Sequence, residues 1–478
     1  MQPEHPNPNN VAPLMVSVSG CRGITGESFT EAVAERFALA ALHEMREHGG
    51  QDPTTIVVGR DGRRGGEHYQ RALMEALVRV GCRVIDVGAV PTPTVGAAVR
   101  HHDASGAFVL TASHNPQEWL GLKPIDANAG AMSPERSKRL IGRYHAESYD
   151  SAPRSGGDVI ADALAASRHV AGVVAHLESL QPIGAIRAKR FAICVDSVSS
   201  SGIAPARLLA EALNCSIEHL HADASGIFPH TPEPVEANLQ QLCAATRANG
   251  CAVGFAQDPD ADRLAIVDEN GRYIGEEYTL ALCARAMLGA MDDPSSAVLV
   301  ANLSTSRMID DVCTSFGARV ERAAVGEANV VSVMRAHDAP LGGEGNGGVI
   351  WPDIVPIRDS VGSMALVLAL LTREDKPLSE IVDAMPPYAI VKRKTPLEGL
   401  DANAVLDAVR AMAGDAFPGA AVNDSDGVRL DFDAPSGGRA WVHVRSSNTE
   451  PIMRLIAEAP SRSDADAILD RVETRAFV

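Results

Sequence analysis

Strand-like and helix-like stretches alternate along most of this chain, and that alternation limits its possible folds more than any other feature. In the first series, a β-branched stretch at residues 55–58 is followed by a helical stretch at about 67–80 and an apolar stretch at 83–87. A strand, a helix and a further strand in this order form a βαβ unit, which requires a parallel or mixed sheet with helices on both faces. The pattern restarts near residues 191 and 297. We therefore expect three successive α/β units of similar size.

The chain changes character at two places. Residues 150–157, which read DSAPRSGG, predict a linker, and a long helix is expected after it at about 160–180. Near the end of the chain, a helix at 402–412 precedes two strands, 427–432 and 440–444, that flank a turn. This ending predicts a smaller α+β domain with antiparallel hairpins.

The length of the chain, 478 residues, exceeds what one hydrophobic core can serve. Combined with the restarts, it predicts an α/β protein of four domains: three similar domains with mixed sheets, and a smaller α+β domain at the C-terminus. The expected domains are residues 1–160, 161–273, 274–386 and 387–478.

Net charge, apolar stretches and cysteine spacing indicate which partners and which cellular compartment to expect. A net charge of −18 argues against a general surface for nucleic acid or anionic membrane, although a small anionic substrate needs only local donors. No apolar stretch approaches the length of a membrane span, and residues 1–10 lack the features of a secretory signal. The eight cysteines are scattered without a C-x-x-C pair, as expected for reduced thiols. We predict a cytoplasmic protein with no nucleic-acid or membrane partner.

A serine-containing loop, TASHNP at residues 111–116, follows the apolar stretch 107–110, which predicts a buried strand. Pro116 cannot continue a sheet ladder and Asn115 before it favours a turn, so Ser113 is expected on a tight loop. Proteins with α/β sheets place their ligands at this edge. The loop alone carries little information, because a serine beside a histidine is an ordinary loop feature.

Three aspartates at alternate positions, in the sequence DPDADR, follow the strand-like stretch 252–256. Carboxylate oxygens are the ligands that hard cations such as Mg²⁺ prefer. An EF-hand loop starts similarly, but its glycine and later glutamate are absent and a strand resumes at residue 264. A solvated acidic turn remains an alternative, although Arg263 places a cation beside the proposed anion site. The aspartates are Asp258, Asp260 and Asp262.

Two further polar loops follow strand-like runs. The first, GGEGNGG at residues 342–348, is flexible enough for close approach to a ligand, and its Glu344 and Asn346 suit sugar hydroxyls. The second, RSSNTEP at residues 445–451, combines an arginine with short donors that could surround a phosphate. A plain glycine-rich turn and a hydrophilic hairpin end remain the respective alternatives.

Basic residues accompany these loops. Arg22 and the arginines of GRDGRRG at residues 59–65 lie among glycines, and single arginines of this kind are typical of surface charge. Lys123, ten residues beyond Ser113, could hold a phosphate on that serine or move a proton. Serine is a poor nucleophile unaided, and a phosphoserine facing three aspartates requires a cation between them. The residue types therefore fit phosphoryl transfer at one site.

Taken in order, these four loops resemble those of the α-D-phosphohexomutase superfamily, which comprises phosphoglucomutase, phosphomannomutase and phosphoglucosamine mutase. The family signatures are a T-A-S-H-N-P phosphoserine loop, a D-x-D-x-D-R metal loop, a G-E-x-S/N-G sugar loop and an R-x-S-G/N-T-E-P phosphate loop. Further matches lie at residues 58–61, 91–94 and 228–230. The resemblance covers essentially the whole chain. It implies the family's heart-shaped fold of four domains, in which the first three share an α/β core.

The resemblance also implies residue roles. Ser113 would carry the phosphoryl group and, with the three aspartates, bind one Mg²⁺ per chain. A hexose 1,6-bisphosphate would serve as intermediate and activator. The implied catalytic residues are Ser113, His114, Lys123 and Arg22, of which Arg22 and Lys123 would be the candidates for proton transfer. The implied metal ligands are Ser113, Asp258, Asp260 and Asp262. The implied substrate-binding residues are Glu344, Asn346, Arg445, Ser447, Asn448, Thr449 and Arg263.

The chain departs from the family pattern at a few positions. Leu120 lies where many relatives have Asn, Asn346 lies where many have Ser, and Gly62 and Gly65 make the loop after residue 59 less typical. The stretch VDSVSS at residues 195–200 replaces a common V-D-x-x-N-G pattern. None of these changes removes an implied catalytic group.

We predict a Mg²⁺-dependent phosphohexomutase, an isomerase that interconverts hexose 6-phosphate and hexose 1-phosphate through a phosphoserine. The EGNGG form of the sugar loop favours phosphoglucosamine mutase, with phosphoglucomutase/phosphomannomutase as the alternative. A metal-dependent phosphatase with a serine nucleophile and a non-catalytic sugar-phosphate sensor are alternatives from other classes. Retention of Ser113 and all three aspartates argues against the sensor. The expected partner is a hexose phosphate, and both a monomer and a homodimer remain open.

Overall fold

The computed structural model describes residues 13–49, 54–397, 399–434, 436–447 and 452–477. Within them the chain forms four sheets, each flanked by helices. The predicted limits of the four domains, at 160/161, 273/274 and 386/387, stay predictions.

The first sheet has seven strands in the order β1-β2-β6-β5-β3-β4-β7. Its side chains alternate between the two faces, as the two-residue period of a strand requires. Ile56 and Val58 pack with α1, α2 and α4, whereas Val57 between them faces α3 and the core shared with later domains. The strands are β1 (Met15–Ser17), β2 (Gly20–Ile24), β3 (Thr55–Arg60), β4 (Arg83–Ala89), β5 (Gly106–Leu110), β6 (Trp119–Asp126) and β7 (Asp158–Ala161). The helices are α1 (Glu31–Gly49), α2 (Gly66–Arg79), α3 (Thr92–His101) and α4 (Pro134–Ala146).

The prediction of a helix from about residue 160 is wrong at its start. Residues Asp158–Ala161 form β7, which pairs in parallel with β4 at the edge of the sheet. Val159 and Ile160 are β-branched and favour an extended backbone, and the edge of β4 offers unpaired backbone groups. The helix begins at Ala165.

The second and third sheets repeat one pattern: three parallel strands and a fourth, antiparallel strand at the edge. The second has the order β11-β10-β8-β9 and the third β13-β12-β14-β15. The elements of the second unit are α5 (Ala165–Leu180), α6 (Ile183–Lys189), β8 (Ala192–Asp196), α7 (Ile203–Ala212), β9 (Ser216–Leu220), α8 (Gln240–Ala248), β10 (Val253–Gln257) and β11 (Leu264–Asp268). Those of the third are α9 (Glu277–Leu288), β12 (Val298–Asn302), α10 (Met308–Ser315), β13 (Arg319–Ala323), α11 (Glu327–Ala336), β14 (Gly342–Glu344), β15 (Gly348–Ile350), α12 (Ser360–Glu374) and α13 (Leu378–Asp383). Short 3₁₀ turns lie at Glu236–Asn238 and Pro294–Ser296.

The first sheet contains the same four-stranded pattern. In it, β3 pairs in parallel with β4 and β5, and β6 pairs antiparallel to β5. The chain therefore builds one unit three times. The loops between the third and fourth strand of each unit carry the serine, the three aspartates and the glycine-rich sequence, respectively.

The fourth sheet has five antiparallel strands in the order β16-β20-β19-β18-β17. Its helices pack on the sheet over a hydrophobic core of their own, whereas one continuous core joins the first three units. The strands are β16 (Ala389–Pro396), β17 (Ala421–Asn423), β18 (Val428–Asp433), β19 (Arg439–Ser446) and β20 (Ile452–Ala459), and the helices are α14 (Ala402–Asp415) and α15 (Arg462–Ala476).

The structure also bears on the cysteines and on membrane-spanning helices. All eight cysteines fall within the described residues and are free thiols. Within the same part of the chain, no helix combines the length and the apolar character that crossing a membrane would need.

Candidate active site

The loop of Ser113 is fixed by a buried network behind it. Ser113 has a φ of +48°, a left-handed conformation that costs energy outside glycine unless the surroundings hold it. Its N–H donates to Thr111 Oγ1 at 2.8 Å, and the Thr111 hydroxyl donates to Asp61 Oδ2 at 2.7 Å. The Arg63 guanidinium donates to Ser113 O at 2.9 Å and to Pro116 O at 3.3 Å, and it pairs with Asp61 at 2.8 Å.

Arg63 corrects the expectation that arginines in the GRDGRRG stretch are surface charges. It is among the largest fully buried side chains of the protein. Its charge is balanced by Asp61, and its remaining donors meet backbone carbonyls of the serine loop. A buried, satisfied arginine of this kind sets the shape of the loop.

Ser113 and the aspartate loop are in direct contact. Ser113 Oγ donates to Asp258 Oδ2 at 2.9 Å, across 145 residues of sequence. The other oxygen of Asp258 accepts the backbone N–H groups of Asp262 and Arg263, both at 3.1 Å. Ala261, at the turn of this loop, has a φ of +49°. The predicted meeting of the serine with the three aspartates is therefore present.

The three aspartates form a cluster that fits a hard divalent cation. All three are fully buried, and each offers a carboxylate oxygen within 4.8 Å of the others. Asp260 Oδ1 and Asp262 Oδ1 are buried without a hydrogen-bond partner, a costly arrangement unless a ligand completes it. Burial, together with the charges of Asp260 and Asp262, raises the pKa of Asp258 well above its usual range. A bound Mg²⁺ would take up these oxygens and remove this repulsion.

A lysine and a threonine border the same cluster. Lys123 Nζ donates to Asp260 Oδ2 at 3.0 Å and to Asp262 Oδ2 at 3.1 Å. Burial alone would lower the pKa of Lys123, but these two aspartates raise it above its usual range. Thr92, in the matched PTPT stretch at the start of α3, donates its hydroxyl to Asp260 Oδ2 at 2.7 Å. Lys123 is therefore a fixed cation at the edge of the metal-ligand set.

Arg358 connects the aspartates to the glycine-rich loop. Its guanidinium reaches Asp262 Oδ2 at 2.6 Å, Glu344 Oε2 at 2.6 Å and Glu327 Oε2 at 2.9 Å. Three acidic partners raise the pKa of Arg358 well above its usual range, although burial opposes this. Neither Arg358 nor Glu327 was identified from the sequence. An arginine that ends an apolar stretch and a glutamate that begins an amphipathic helix carry no chemical signal until the fold brings them together.

Glu344 and Asn346 lie beside this arginine in the hairpin between β14 and β15. Glu344 is buried, and its Oε1 accepts from Asn302 Nδ2 at 2.9 Å. Asn346 is partly exposed, and its Oδ1 accepts the N–H of Gly348 at 3.1 Å. Only glycine fits at position 347, because a Cβ there would lie 2.4 Å from Leu264 O, in the strand that follows the aspartate loop.

Cationic side chains line the remaining side of the site. Arg22 Nη1 donates to Asn115 Oδ1 at 3.0 Å, and burial, reinforced by Arg263 and Arg454, lowers its pKa. His114 Nδ1 lies 3.3 Å from Ser113 Oγ. Burial, followed by the charge of Arg263, lowers the pKa of His114 to about 3, so its imidazole is neutral near pH 7. This arrangement favours an anionic ligand.

The fourth predicted loop is only partly within the described residues. Arg445, near the end of β19, faces Arg454 of β20 across the sheet, and Glu344 lies within its electrostatic reach. Ser447 donates its N–H to Ile452 O at 2.9 Å. Asn448 and Thr449, both predicted to bind substrate phosphate, lie outside the described residues. Arg454 is a cation that the sequence prediction missed, since its register opposite Arg445 becomes visible only in the sheet.

Comparisons with known proteins match the chain along its length. Four family models match in succession: phosphoglucomutase/phosphomannomutase alpha/beta/alpha domain I at residues 14–151, domain II at 172–271, domain III at 276–388, and the C-terminal domain at 391–475. Together they cover most of the chain.

Individual relatives cover nearly the same length. A phosphoglucomutase/phosphomannomutase of Thermococcus kodakarensis is 34% identical over 452 residues, which is 94% of this chain and 96% of the relative. A probable phosphoglucosamine mutase of Methanopyrus kandleri is 31% identical over 457 residues, 95% of each chain. A solved phosphoglucomutase/phosphomannomutase family protein from Burkholderia thailandensis superposes with a TM-score of 0.79 at 26% identity, covering 96% of this chain and 98% of that one. The chain thus belongs to the phosphoglucomutase/phosphomannomutase family within the α-D-phosphohexomutase superfamily, whose members are isomerases that act as intramolecular phosphotransferases.

Proposed function

We propose that this enzyme is a Mg²⁺-dependent phosphohexomutase that moves a phosphoryl group between the O6 and O1 positions of a hexose through a phosphorylated Ser113. The observation that carries the proposal is the contact of Ser113 Oγ with Asp258 Oδ2 at 2.9 Å, beside two carboxylate oxygens that lack partners. A stored phosphoryl group needs a serine oxygen and a cation site at one place, and these residues supply both.

Asp258, Asp260 and Asp262, together with the oxygen of Ser113, would hold the Mg²⁺. When bound, the ion neutralises charge on the phosphoryl group and polarises it toward attack. Lys123, which is fixed between Asp260 and Asp262, adds a further positive charge at the edge of this site. The shape of the loop is set by Arg63, so the serine oxygen is positioned without reorganisation.

In the first half-reaction, the bond between phosphorus and Ser113 Oγ breaks as a bond to one sugar hydroxyl oxygen forms. The sugar hydroxyl loses its proton as it attacks, and Ser113 Oγ, the leaving oxygen, takes up a proton in the same half-reaction; the second half-reaction reverses both transfers. Of the two predicted proton-transfer residues, Arg22 lies where burial and neighbouring cations lower the pKa, which favours proton release. Lys123 lies where aspartates hold its proton more tightly. Arg22 also lies beside the serine loop, where its Nη1 is 3.0 Å from Asn115 Oδ1, and we assign proton transfer to it on this position. Lys123, held between Asp260 and Asp262, supplies charge balance.

The second half-reaction requires the bisphosphate to reverse its orientation so that its other phosphoryl group faces Ser113. Glu344 and Asn346 would bind sugar hydroxyls in either orientation, since each offers hydrogen-bond acceptors on the hairpin next to Arg358. Arg445, with Arg263 and the polar groups of the 447–449 loop, would bind the phosphate that is not being transferred.

We propose a 2-amino sugar phosphate as the preferred substrate. Two carboxylates, Glu344 and Glu327, flank Arg358 at the sugar loop, and a charged amino group is best met by an anionic acceptor. The relatives include both probable phosphoglucosamine mutases and a phosphoglucomutase/phosphomannomutase, which keeps a neutral hexose as the alternative.

The test compares conversion of the 1-phosphates of glucosamine, glucose and mannose, each with its 1,6-bisphosphate and Mg²⁺. We expect formation of each 6-phosphate without release of inorganic phosphate, the highest kcat/KM for glucosamine phosphate, and loss of activity on chelation. Stoichiometric inorganic phosphate would identify a phosphatase instead. Glu327→Gln should reduce the preference for the amino sugar, and an unchanged ratio of kcat/KM values would refute that part of the assignment.

A further inference from the structure

A second cluster of ligand-type side chains lies in the second unit, away from the serine and the three aspartates. Asp196 is the last residue of β8, and its carboxylate lies 2.9 Å from His221 Nδ1 and 3.0 Å from His230 Nε2. Both histidines approach the same oxygen, Oδ2. The Asp196 side chain is 2% exposed and the two imidazoles are 17% and 19% exposed, so the cluster is lined by protein yet reachable from solvent.

The outer nitrogens of both rings fix where the protons lie. His230 Nδ1 is 2.8 Å from Thr231 O, a carbonyl that can only accept, so this nitrogen carries a proton. His221 Nε2 is 2.9 Å from Gln241 Oε1, which places a proton there in the same way. In the neutral rings the inner nitrogens, His221 Nδ1 and His230 Nε2, would then present lone pairs to a carboxylate oxygen. That arrangement is repulsive unless a cation lies between them or both rings carry a second proton.

Histidines that bind metals usually show this pattern, with the non-ligating N–H donated to a carbonyl or carboxylate that sets the tautomer. The other oxygen of Asp196 is held by the N–H of Val198 at 2.9 Å, so the carboxylate is oriented as well. All three ligand atoms lie within 4.8 Å of one another. In a tetrahedral site with bonds of about 2.0 Å, ligand atoms are roughly 3.3 Å apart, so a few tenths of an ångström of opening would admit an ion.

We propose that Asp196, His221 and His230 form a binding site for a zinc-class divalent cation, with Asp196 Oδ2, His221 Nδ1 and His230 Nε2 as ligands and water as the fourth. Two imidazoles and one carboxylate suit Zn²⁺ or Co²⁺, whereas Mg²⁺ prefers an all-oxygen set such as that of the three aspartates. The proposal does not depend on the proposed reaction.

The location of the site suggests what the ion would do. The two histidines border the segment 221–230, which contacts the serine loop: Gln117 Nε2 donates to Gly226 O at 3.0 Å, and Phe228 N donates to Gln117 Oε1 at 2.7 Å. His221, Val198 and Ser199 have φ values of +46°, +45° and +52°, all strained for residues with a side chain. Val198 and Ser199 belong to the stretch that replaces the family's V-D-x-x-N-G pattern. By binding Asp196 and both histidines, an ion would fix the position of residues 221–230, and their contacts with Gln117 would in turn stabilise the serine loop.

The test uses the full-length enzyme after chelation and gel filtration. Equilibrium dialysis against Zn²⁺, in a large excess of Mg²⁺ to occupy the three aspartates, is followed by elemental analysis. We expect one Zn²⁺ per chain. His230→Gln and His221→Gln should each weaken binding by more than about 100-fold, and Gln241→Ala by roughly 10–100-fold, the range for a residue that orients a ligand. His337→Gln, a change at an exposed histidine after α11, should leave binding unchanged.

A second measurement tests the ligands of the proposed zinc site directly. X-ray absorption at the zinc edge of the unaltered protein should show two imidazole ligands, a readout that needs no variant to fold. Absence of bound Zn²⁺ in the unaltered protein, absence of imidazole scattering, or loss of Zn²⁺ in Asp260→Asn but not in His230→Gln would overturn the proposal. If the unaltered protein binds no Zn²⁺, the cluster is a carboxylate flanked by two imidazolium ions.

Discussion

The first three units and the fourth hold their parts of the site in different ways. The first three share one hydrophobic core that extends from Val57 to Met385. Hydrogen bonds such as that between Ser113 Oγ and Asp258 Oδ2 join their loops directly. The fourth unit has its own core, from Val391 to Ala476, and meets the third through polar contacts. These include Ser304 Oγ with His443 Nδ1 at 2.9 Å and Val325 N with Asp426 Oδ2 at 3.0 Å.

This difference places the chemical step in the first three units and the binding of the second phosphate in the fourth. Serine, metal ligands and sugar loop belong to one packed body in which a small misplacement would be costly. Arg445 belongs to a unit attached by contacts that can break and re-form, and relative motion is the usual expectation for such an interface. A bisphosphate that must reverse its orientation needs that freedom on one side of the cleft and rigidity on the other.

The largest expected effect is at Ser113. Ser113→Ala should lower kcat by on the order of 10⁴-fold or more, because it removes the oxygen that holds the phosphoryl group. The melting temperature should stay within a few degrees, because the hydroxyl makes few contacts. Steady-state kinetics and thermal melts measure both. Ser179→Ala, an exposed serine of α5, is the matched control; substantial activity in Ser113→Ala would refute the role of this residue.

Arg358→Ala should cost both stability and activity. It would leave Asp262, Glu344 and Glu327 without their shared cation, and breaking a buried ion network by removing one partner costs about 3–5 kcal/mol. Arg410→Ala in the fourth unit removes two exposed ion pairs, with Asp407 and Asp424, and should cost less than about 1 kcal/mol. Denaturant midpoints of the two variants give the comparison, and equal losses would contradict the contrast between the two regions.

Arg445→Ala should affect substrate binding more than the chemical step. Loss of a charge-assisted bond to a phosphate corresponds to about 1.5–3 kcal/mol, or roughly a 10–100-fold rise in KM. We expect kcat to change less, because Arg445 lies on the separately packed unit. A variant with unchanged KM and a strongly reduced kcat would place this arginine in the chemical step instead. Arg439→Ala, an exposed arginine of the same strand, serves as control.

The smallest effect concerns pH and the contact between the third and fourth units. Burial raises the pKa of Glu277 from 4.5 to about 8, and Lys392 of the fourth unit lies 3.8 Å from its Oε1. The folded protein thus keeps a proton that the unfolded chain releases. Binding of this proton in the folded state stabilises the protein. The stabilisation is fully present below about pH 4.5, the pKa in the unfolded chain, and is lost as the pH rises through about 8, the pKa in the folded protein.

Glu277→Gln should remove that loss. Between pH 6 and 9 we expect the unaltered protein to lose on the order of 2 kcal/mol more stability than the variant. Unfolding midpoints across this range test the prediction. Parallel curves for the two proteins would show that Glu277 is ionised in the folded state at neutral pH.

The sequence predicted that the serine loop and the aspartate loop lie together, whereas it predicted less of the framework that holds them. The four loops carry compact patterns of polar residues, and the contact of Ser113 with the aspartates follows from strands that end at corresponding edges. The sequence predicted three similar α/β units, but not that they repeat one strand order, because that repeat lies in strand order and direction rather than in residue identity. The start of the helix near residue 160 was wrong, because pairing with β4 overrides local periodicity there.

Residues that act through long-range contacts were beyond prediction for a physical reason. Arg63 looked like surface charge until the fold placed it under the serine loop, and Arg358 gained its three acidic partners only from the packing of separate elements. The cluster of Asp196, His221 and His230 joins three segments whose spacing matches no metal motif. Charge balance inside a folded protein depends on neighbours in space, which a single sequence does not give.

The most direct test of the central claim is to locate the phosphoryl group. The protein is incubated with a hexose 1,6-bisphosphate and Mg²⁺, digested and analysed by mass spectrometry, before and after addition of hexose monophosphate. We predict one phosphoryl group on Ser113 that disappears with the monophosphate while no inorganic phosphate is formed. Phosphorylation at another residue, or its loss as inorganic phosphate, would contradict the account.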